Sequence, residues 1–324
     1  MSIFTQISTK IRNVFSKQQS PQLIGIALQQ KSLTLCIIPP TDKAVSNELD
    51  PATETIFKKR DVDSSDFVSV MARLKNKYNL TYQCHLVLNS SQSQIVQVDK
   101  PNVPKAEIIS ALKWQIKDLV SIPPENMVLD YFDGPLLAGG IEKINVVCSP
   151  LNELKEIVAV LNAGSAIITS ITIEEFAFAN LLPRQNDACL LVCQQQNEEI
   201  VLLIVKQGKL YFQRRLRGFS QIASKTEDEL SMTVIDNLAL EIQRSSDYYE
   251  RQLKQAPIKD IKVLLPIALE DFFARKLSEN THIPVTLLTM PDNYSEQRSY
   301  AAAIGATMYD ARIAEQAQEL MNAS

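Results

Sequence analysis

Apolar and polar positions fall in blocks along this chain, and the period of the blocks switches between two and about 3.6. Residues 23–38, "LIGIALQQKSLTLCII", form an apolar run, a polar break at Gln29-Gln30-Lys31-Ser32 and a second apolar run. That pattern predicts two paired strands, yet the break lacks the Gly, Asn or Asp that tight hairpin turns favour. The same arrangement returns at residues 190–205, "LLVCQQQNEEIVLLIV". From Ser64, "SSDFVSVMARLKNKYN" places Phe67, Met71 and Leu74 at helical spacing behind a Ser or Asp cap, and "CHLVLN" follows as a strand. Residues 92–164 read as a strand ("SQIVQV"), a helix opened by Pro104 and ended by Pro123-Pro124, and two strands ("MVLDYFD", "KINVVCS") joined by "GPLLAGG". A helix stopped by Gly164 closes that set.

This strand–helix–strand–strand–helix set predicts a compact α+β unit inserted into the first half of the chain. A connecting helix, "IEEFAFANLLP", leads to the second half, which opens with the second glutamine hairpin and a third strand, "KLYFQRRLR". A long helix over 227–255 follows, with Leu230, Val234, Leu238, Ile242 and Tyr249 recurring on one side. Then come a strand ("IKVLLP"), a helix ("ALEDFFARKLSEN"), a strand ("PVTLLT") and a closing helix ("YAAAIGATMYD"). Two halves with the same opening predict a duplicated α/β fold. The expected organisation is an amphipathic segment at 1–20, a first half at 21–183 carrying the insert at 92–164, and a second half at 184–324.

Composition narrows the chemistry. The net charge is −4, so no overall field draws the chain to nucleic acid. Only 8 glycines are present, where about 23 are expected at a typical frequency of about 7%. Phosphate-cradling loops need glycine, so their absence is expected. No apolar run approaches the roughly 18 residues of a membrane span, and no secretory signal opens the chain. Residues 1–20 put Ile3, Ile7, Ile11 and Val14 on one side with Lys10, Arg12 and Lys17 elsewhere, a pattern compatible with a frayed or docked helix and with a weak lipid contact. Cys36, Cys84, Cys148, Cys189 and Cys193 are odd in number and read as buried reduced thiols. Cys189 and Cys193 sit roughly 13 Å apart on one strand at about 3.3 Å per residue, too far to share a bond or a metal.

No catalytic constellation emerges. His85 and His282 lack metal-ligand spacing to any partner. Glu174-Glu175 and Glu198-Glu199 read as solvated pairs that point apart. "KQGKLYFQRRLR" puts Arg215 and Arg217 on one strand face and Arg214 on the other. It reads as a solvated edge or as ion pairs between the halves, because nucleic-acid binding needs more exposed aromatics than Tyr211 and Phe212. The helix over 105–121 carries an apolar stripe of Ile108, Leu112, Ile116 and Leu119. Trp114, the only tryptophan, falls on the opposite side. With Tyr131 and Phe132 on the next strand it is a candidate anchor for a protein partner, with packing against neighbouring structure as the competing reading.

Four phrases in order, "ALKWQIKDLVSIPPENMVLDYFD", "GKLYFQRRLRGF", "LALEIQRSSDYYERQ" and "YAAAIGATMYD", resemble the PilM family of type IV pilus assembly proteins. Within it they are most similar to members from mannose-sensitive haemagglutinin (MSHA) pilus systems. The resemblance covers most of residues 20–312. It implies an actin-like, FtsA-like fold with an inserted subdomain. It also implies a cytoplasmic protein, peripheral at the inner membrane, that holds the N-terminal tail of a PilN-like membrane protein in a groove beside the insert. A link to the pilus assembly ATPase belongs to the same expectation.

Typical members bind ATP, and this chain departs from their motifs. Ala27 stands where the first phosphate loop has Asp, and Gln29 where it has Gly. Cys193-Gln194-Gln195 stands in place of the second D-x-G loop, and Pro266 begins the segment where a glycine run is expected. Only 18 residues separate "RRLRGF" from "LALEIQRS", too few for the subdomain that walls the adenosine in relatives. Metal ligands and phosphate-contacting backbone are both missing. The expectation is therefore a scaffold without cofactor, metal or catalytic residues. The alternative is a divergent ATPase that recruits Asp187, Asp236 or Asp247.

Overall fold

The computed structural model describes residues 22–40, 54–62, 66–78, 80, 83–134, 142–163, 166–291, 294–309 and 311. The amphipathic segment expected at 1–20, residues 135–140 of the "GPLLAGG" turn and the Gly164 stop lie outside these residues. The chain packs as two units that divide between Glu174 and Glu175.

The first unit begins with β1 (Leu23–Leu28), β2 (Ser32–Ile38) and β3 (Ile56–Asp61), followed by helix α1 (Phe67–Tyr78) and β4 (Gln83–Leu88). The insert contributes β5 (Gln94–Asp99), α2 (Ile108–Gln115), β6 (Met127–Asp133) and β7 (Lys143–Pro150). Helix α3 (Leu151–Asn162) and β8 (Ile167–Ile173) complete the unit. Its main sheet has the order β3-β2-β1-β4-β8, antiparallel through the hairpins and parallel from β1 to β8. One face carries Ile24, Ile26, Leu28, Leu33 and Leu35 against Met71 and Leu74 of α1 and Ile157 and Leu161 of α3.

Helix α3 therefore belongs to the main sheet and not to the insert. The inserted body is the antiparallel sheet β5-β7-β6 with α2 on one face. Ile108, Leu112 and Ile116 pack there on Val98, Met127, Leu129, Ile144 and Val146. Helix α2 ends at Gln115, earlier than the expected end near residue 121, and turns carry the chain to Pro124.

Helix α4 (Glu174–Ala179) starts at the boundary of the units. The second unit then repeats the first. Its strands are β9 (Cys189–Cys193), β10 (Ile200–Lys206), β11 (Lys209–Leu216), β12 (Asp260–Leu264) and β13 (Val285–Leu287), in the order β11-β10-β9-β12-β13. Their directions match those of the first sheet strand for strand. Helix α5 (Ile235–Asp247) is extended by wider turns at Leu230–Val234 and Tyr248–Gln252. It buries Leu230, Val234, Leu238, Ile242 and Tyr249, the expected stripe, on β9 and β10. Helices α6 (Glu270–Asn280) and α7 (Ala301–Thr307) follow. Residues 220–237 form a short 3-10 turn and the capped start of the long helix.

Candidate functional site

The glutamine hairpins are closed by their own side chains. In the first, the Gln29 N–H donates to the Ser32 carbonyl at 2.8 Å, and the Ser32 hydroxyl donates to Gln29 Oε1. Both side chains are buried, and Ala27 just before them is fully buried in β1. No residue of this turn has a positive φ, so the turn has no need of glycine. In the second hairpin Asn197 takes the left-handed position, with φ 62°. Gln194 Nε2 donates to the carbonyls of Glu198 (2.5 Å) and Phe219 (2.9 Å), while its backbone N–H donates to Leu264 (3.2 Å). Cys193 Sγ lies 3.4 Å from the Val201 carbonyl, and Gln195 is buried.

β12 leads through Leu265 into Pro266, which begins the segment where the resembled family has a glycine run. The Leu265 N–H donates to Glu270 Oε1 at 2.6 Å. Arg298 pairs with both oxygens of Glu270 and donates to the carbonyls of Val263 and Leu288, each at 3.0 Å. The C-terminal ends of parallel strands are where α/β sheets bind ligands. In this unit the ends of β9 and β12 are occupied by Gln194, Glu270 and Arg298. In the sequence this pair is marked only by the Glu270-Asp271 doublet in the first turn of α6.

The two glutamate pairs are not solvated, which corrects the expectation. Glu174, Glu175 and Glu198 are buried, and Glu175 pairs with Arg215 at 2.9 Å. Glu199 accepts the Phe219 N–H at 2.8 Å. Arg214 pairs with Glu241 at 2.8 Å. Both arginine pairs lie within the second unit as the contacts divide the chain, while Arg215–Glu175 joins the two halves as the sequence divides them, at 183/184. Tyr211 and Phe212 pack against Tyr249 and Tyr248 of the long helix.

The three candidate partner anchors are not brought together. Trp114 is exposed on the outer side of α2. Tyr131 packs beneath α2 in the core of the insert, and Phe132, its neighbour on β6, takes the opposite face of the sheet. A helix and a sheet thus separate the side chains expected to line one groove. What the insert does offer is a polar cleft of about 310 Å³ at its root, where β4 passes into β5. Ser91, Gln92, Ser93, Ser121, Asn126 and Glu153 line it. Behind its wall the buried Asn89 accepts from the Ser91 N–H (2.8 Å), the Ser91 hydroxyl (2.7 Å) and the Gln92 N–H (3.3 Å).

His85 is buried with Nδ1 2.9 Å from Ser170 Oγ. All five cysteines are free and buried. Burial pushes the Cys36, Cys84 and Cys189 thiols from 9.0 up to about 12, and Cys148 to about 11. Asp187 pairs with Lys259, Asp236 accepts from Asn280 Nδ2 at 2.6 Å and Asp247 pairs with Arg251. Each of these contacts is exposed, and none involves a second of the three aspartates. Among the described residues no cluster of His, Cys, Asp or Glu is fit to hold a metal, and no helix is long and apolar enough to cross a membrane.

No protein-family model and no curated protein matches this chain. Solved structures do. A chain of a PilM–PilN type IV pilus biogenesis complex superposes with a TM-score of 0.61 at 14% identity, covering 89% of this chain and 98% of that one. The fold is actin-like. A Bacteroides thetaiotaomicron protein with an actin-like ATPase fold matches at 0.47 and 12% identity over 94% of this chain and 98% of its own. The cytoplasmic domain of EpsL, an inner-membrane component of the Vibrio cholerae type II secretion system, matches at 0.46 and 15% identity over 76% and 83%.

Proposed function

We propose that this chain is a PilM-like scaffold of a type IV pilus platform, an MshI-like component of the MSHA kind. It works by recognition and not by ATP hydrolysis. The fold it shares with a chain of the PilM–PilN complex, over nearly all of both chains, carries this reading. Its partner is the cytoplasmic tail of a PilN-like inner-membrane protein, which would hold it at the membrane beside the assembly ATPase. The glutamine-closed hairpins support a role without nucleotide, since Gln194 and Ser32 spend their donors on the protein itself.

The polar cleft at the root of the insert suits an extended peptide. Its serine, glutamine and asparagine side chains, with one acid, Glu153, offer polar partners for main-chain amides. Titration calorimetry with the synthetic tail of the PilN-like protein tests the reading. Saturable binding is expected, and Ser93→Trp, which fills the cleft, should abolish it; because the Ser93 hydroxyl also donates to the Asn89 carbonyl at 2.9 Å, the melting temperature should fall by up to about 4 °C, the shift for about 1 kcal/mol. Absence of binding by the unaltered protein would contradict the reading.

A further inference from the structure

We propose that Gln92 and Asn126 read the bound tail through its main chain, each donating its side-chain NH2 group to a carbonyl oxygen of the peptide. This rests on the tail-binding reading and names the chemistry of that cleft. Both residues line it, and the fold fixes which way each carboxamide points. Gln92 Oε1 accepts the Asn89 N–H at 3.1 Å. Asn126 Oδ1 accepts the N–H of Asn152, in the first turn of α3, at 3.0 Å. An amide oxygen pinned by a backbone donor leaves the nitrogen as the free end. Neither Gln92 Nε2 nor Asn126 Nδ2 has a partner among the described residues, and neither is sealed from solvent. Gln92 is only 6% exposed, so its NH2 group is open where the residue lines the cleft.

The other lining groups are mostly spent. The Ser91 and Ser93 hydroxyls give their hydrogens to the Asn89 side-chain oxygen and the Asn89 carbonyl, at 2.7 and 2.9 Å. Gln94 uses both ends of its amide on Ser121, donating to the hydroxyl at 2.5 Å and accepting the N–H at 3.1 Å. Ser121 keeps its own hydroxyl hydrogen as a movable third donor. Donors held at two fixed points call for acceptors in the ligand. An anionic acceptor is disfavoured by Glu153, which lines the cleft without an ion-pair partner among the described residues, and by Glu156, one turn further along α3. No lysine or arginine lines the cleft to offset them. Neutral carbonyl oxygens answer the pattern, and an extended peptide presents them on alternate residues whatever its side chains.

Asn126→Asp tests this most sharply. It keeps an oxygen for the Asn152 N–H and adds a negative charge at a helix N-terminus, where charge of that sign stabilises. At the same time it turns the free donor into an acceptor. Fluorescence anisotropy of a labelled synthetic tail should show binding weakened at least about tenfold, with a melting temperature no lower than that of the unaltered protein. Gln92→Glu makes the same exchange at the buried point and should weaken binding by as much or more. In heteronuclear NMR spectra of the unaltered protein, the side-chain NH2 signals of Gln92 and Asn126 should shift as tail is added. Equal affinity of the tail for the unaltered protein and for Asn126→Asp would overturn this inference and leave the tail-binding reading standing. Tighter binding to Asn126→Asp would also overturn it, since the cleft would then be reading a cation. No binding to the unaltered protein would remove the tail-binding reading, and this inference with it.

Discussion

Gln194 gives the chain its character at the residue scale. Its amide joins the second hairpin to the Phe219 loop, and Gln194→Ala would leave the buried Glu198 and Phe219 carbonyls short of a donor. The expected loss is about 2 kcal/mol in urea unfolding. The Glu270–Arg298 pair costs more to break from one side. Arg298→Ala should destabilise by about 3–5 kcal/mol, because it strands a buried carboxylate. Adding Glu270→Gln should recover part of that loss. The thiols fix a pH dependence. Their folded pKa values of about 11 to 12 lie above the ordinary 9.0, so the stability they contribute is whole below pH 9 and is lost as pH rises from there through the folded values. Thiol titration with Ellman's reagent at pH 8 should find none reactive until denaturant is added. Single residues were the least legible level of the sequence. Adjacent glutamates look solvated in a string of letters, because the string does not show that Arg215 lies beside Glu175 across 40 residues.

Elements were more legible, because periodicity needs only local sequence. Both glutamine hairpins, the third strand of the second half and the buried stripe of the long helix stand where the pattern put them. The helix of the insert shows where pattern reading loses phase. Leu119 continues the stripe only if helical turns continue, but α2 ends at Gln115, and the turn that follows carries Leu119 out to solvent. The closing helix depends on one close approach. A Cβ at Gly305 would run into the Ala177 carbonyl, where Asn180 Nδ2 also reaches the Gly305 carbonyl at 3.0 Å. Gly305→Ala should therefore cost about 3 kcal/mol in thermal unfolding by forcing α7 from α4. At the start of the long helix, Thr226 and Glu229 cap each other. Thr226→Ala should cost about 1 kcal/mol.

At the scale of the whole molecule, each unit carries a five-stranded sheet with the same order and directions. The repeat was legible because each half opens with the same hairpin. The candidate site was legible only in part. The sequence marks the departures at Ala27, Gln29, Cys193, Gln195 and Pro266. It does not mark the cleft of Ser91, Ser121 and Asn126, which are brought together by folding alone. On the proposed reading the two glutamine hairpins hold no nucleotide and the chain acts by recognition. Thermal unfolding with and without millimolar magnesium-ATP tests it most directly. A ligand at about 100 times its Kd adds about 2.7 kcal/mol, which for units of this size raises the melting temperature by about 5–10 °C. No shift is expected if the chain acts without nucleotide, and a rise of that size would overturn the proposed role.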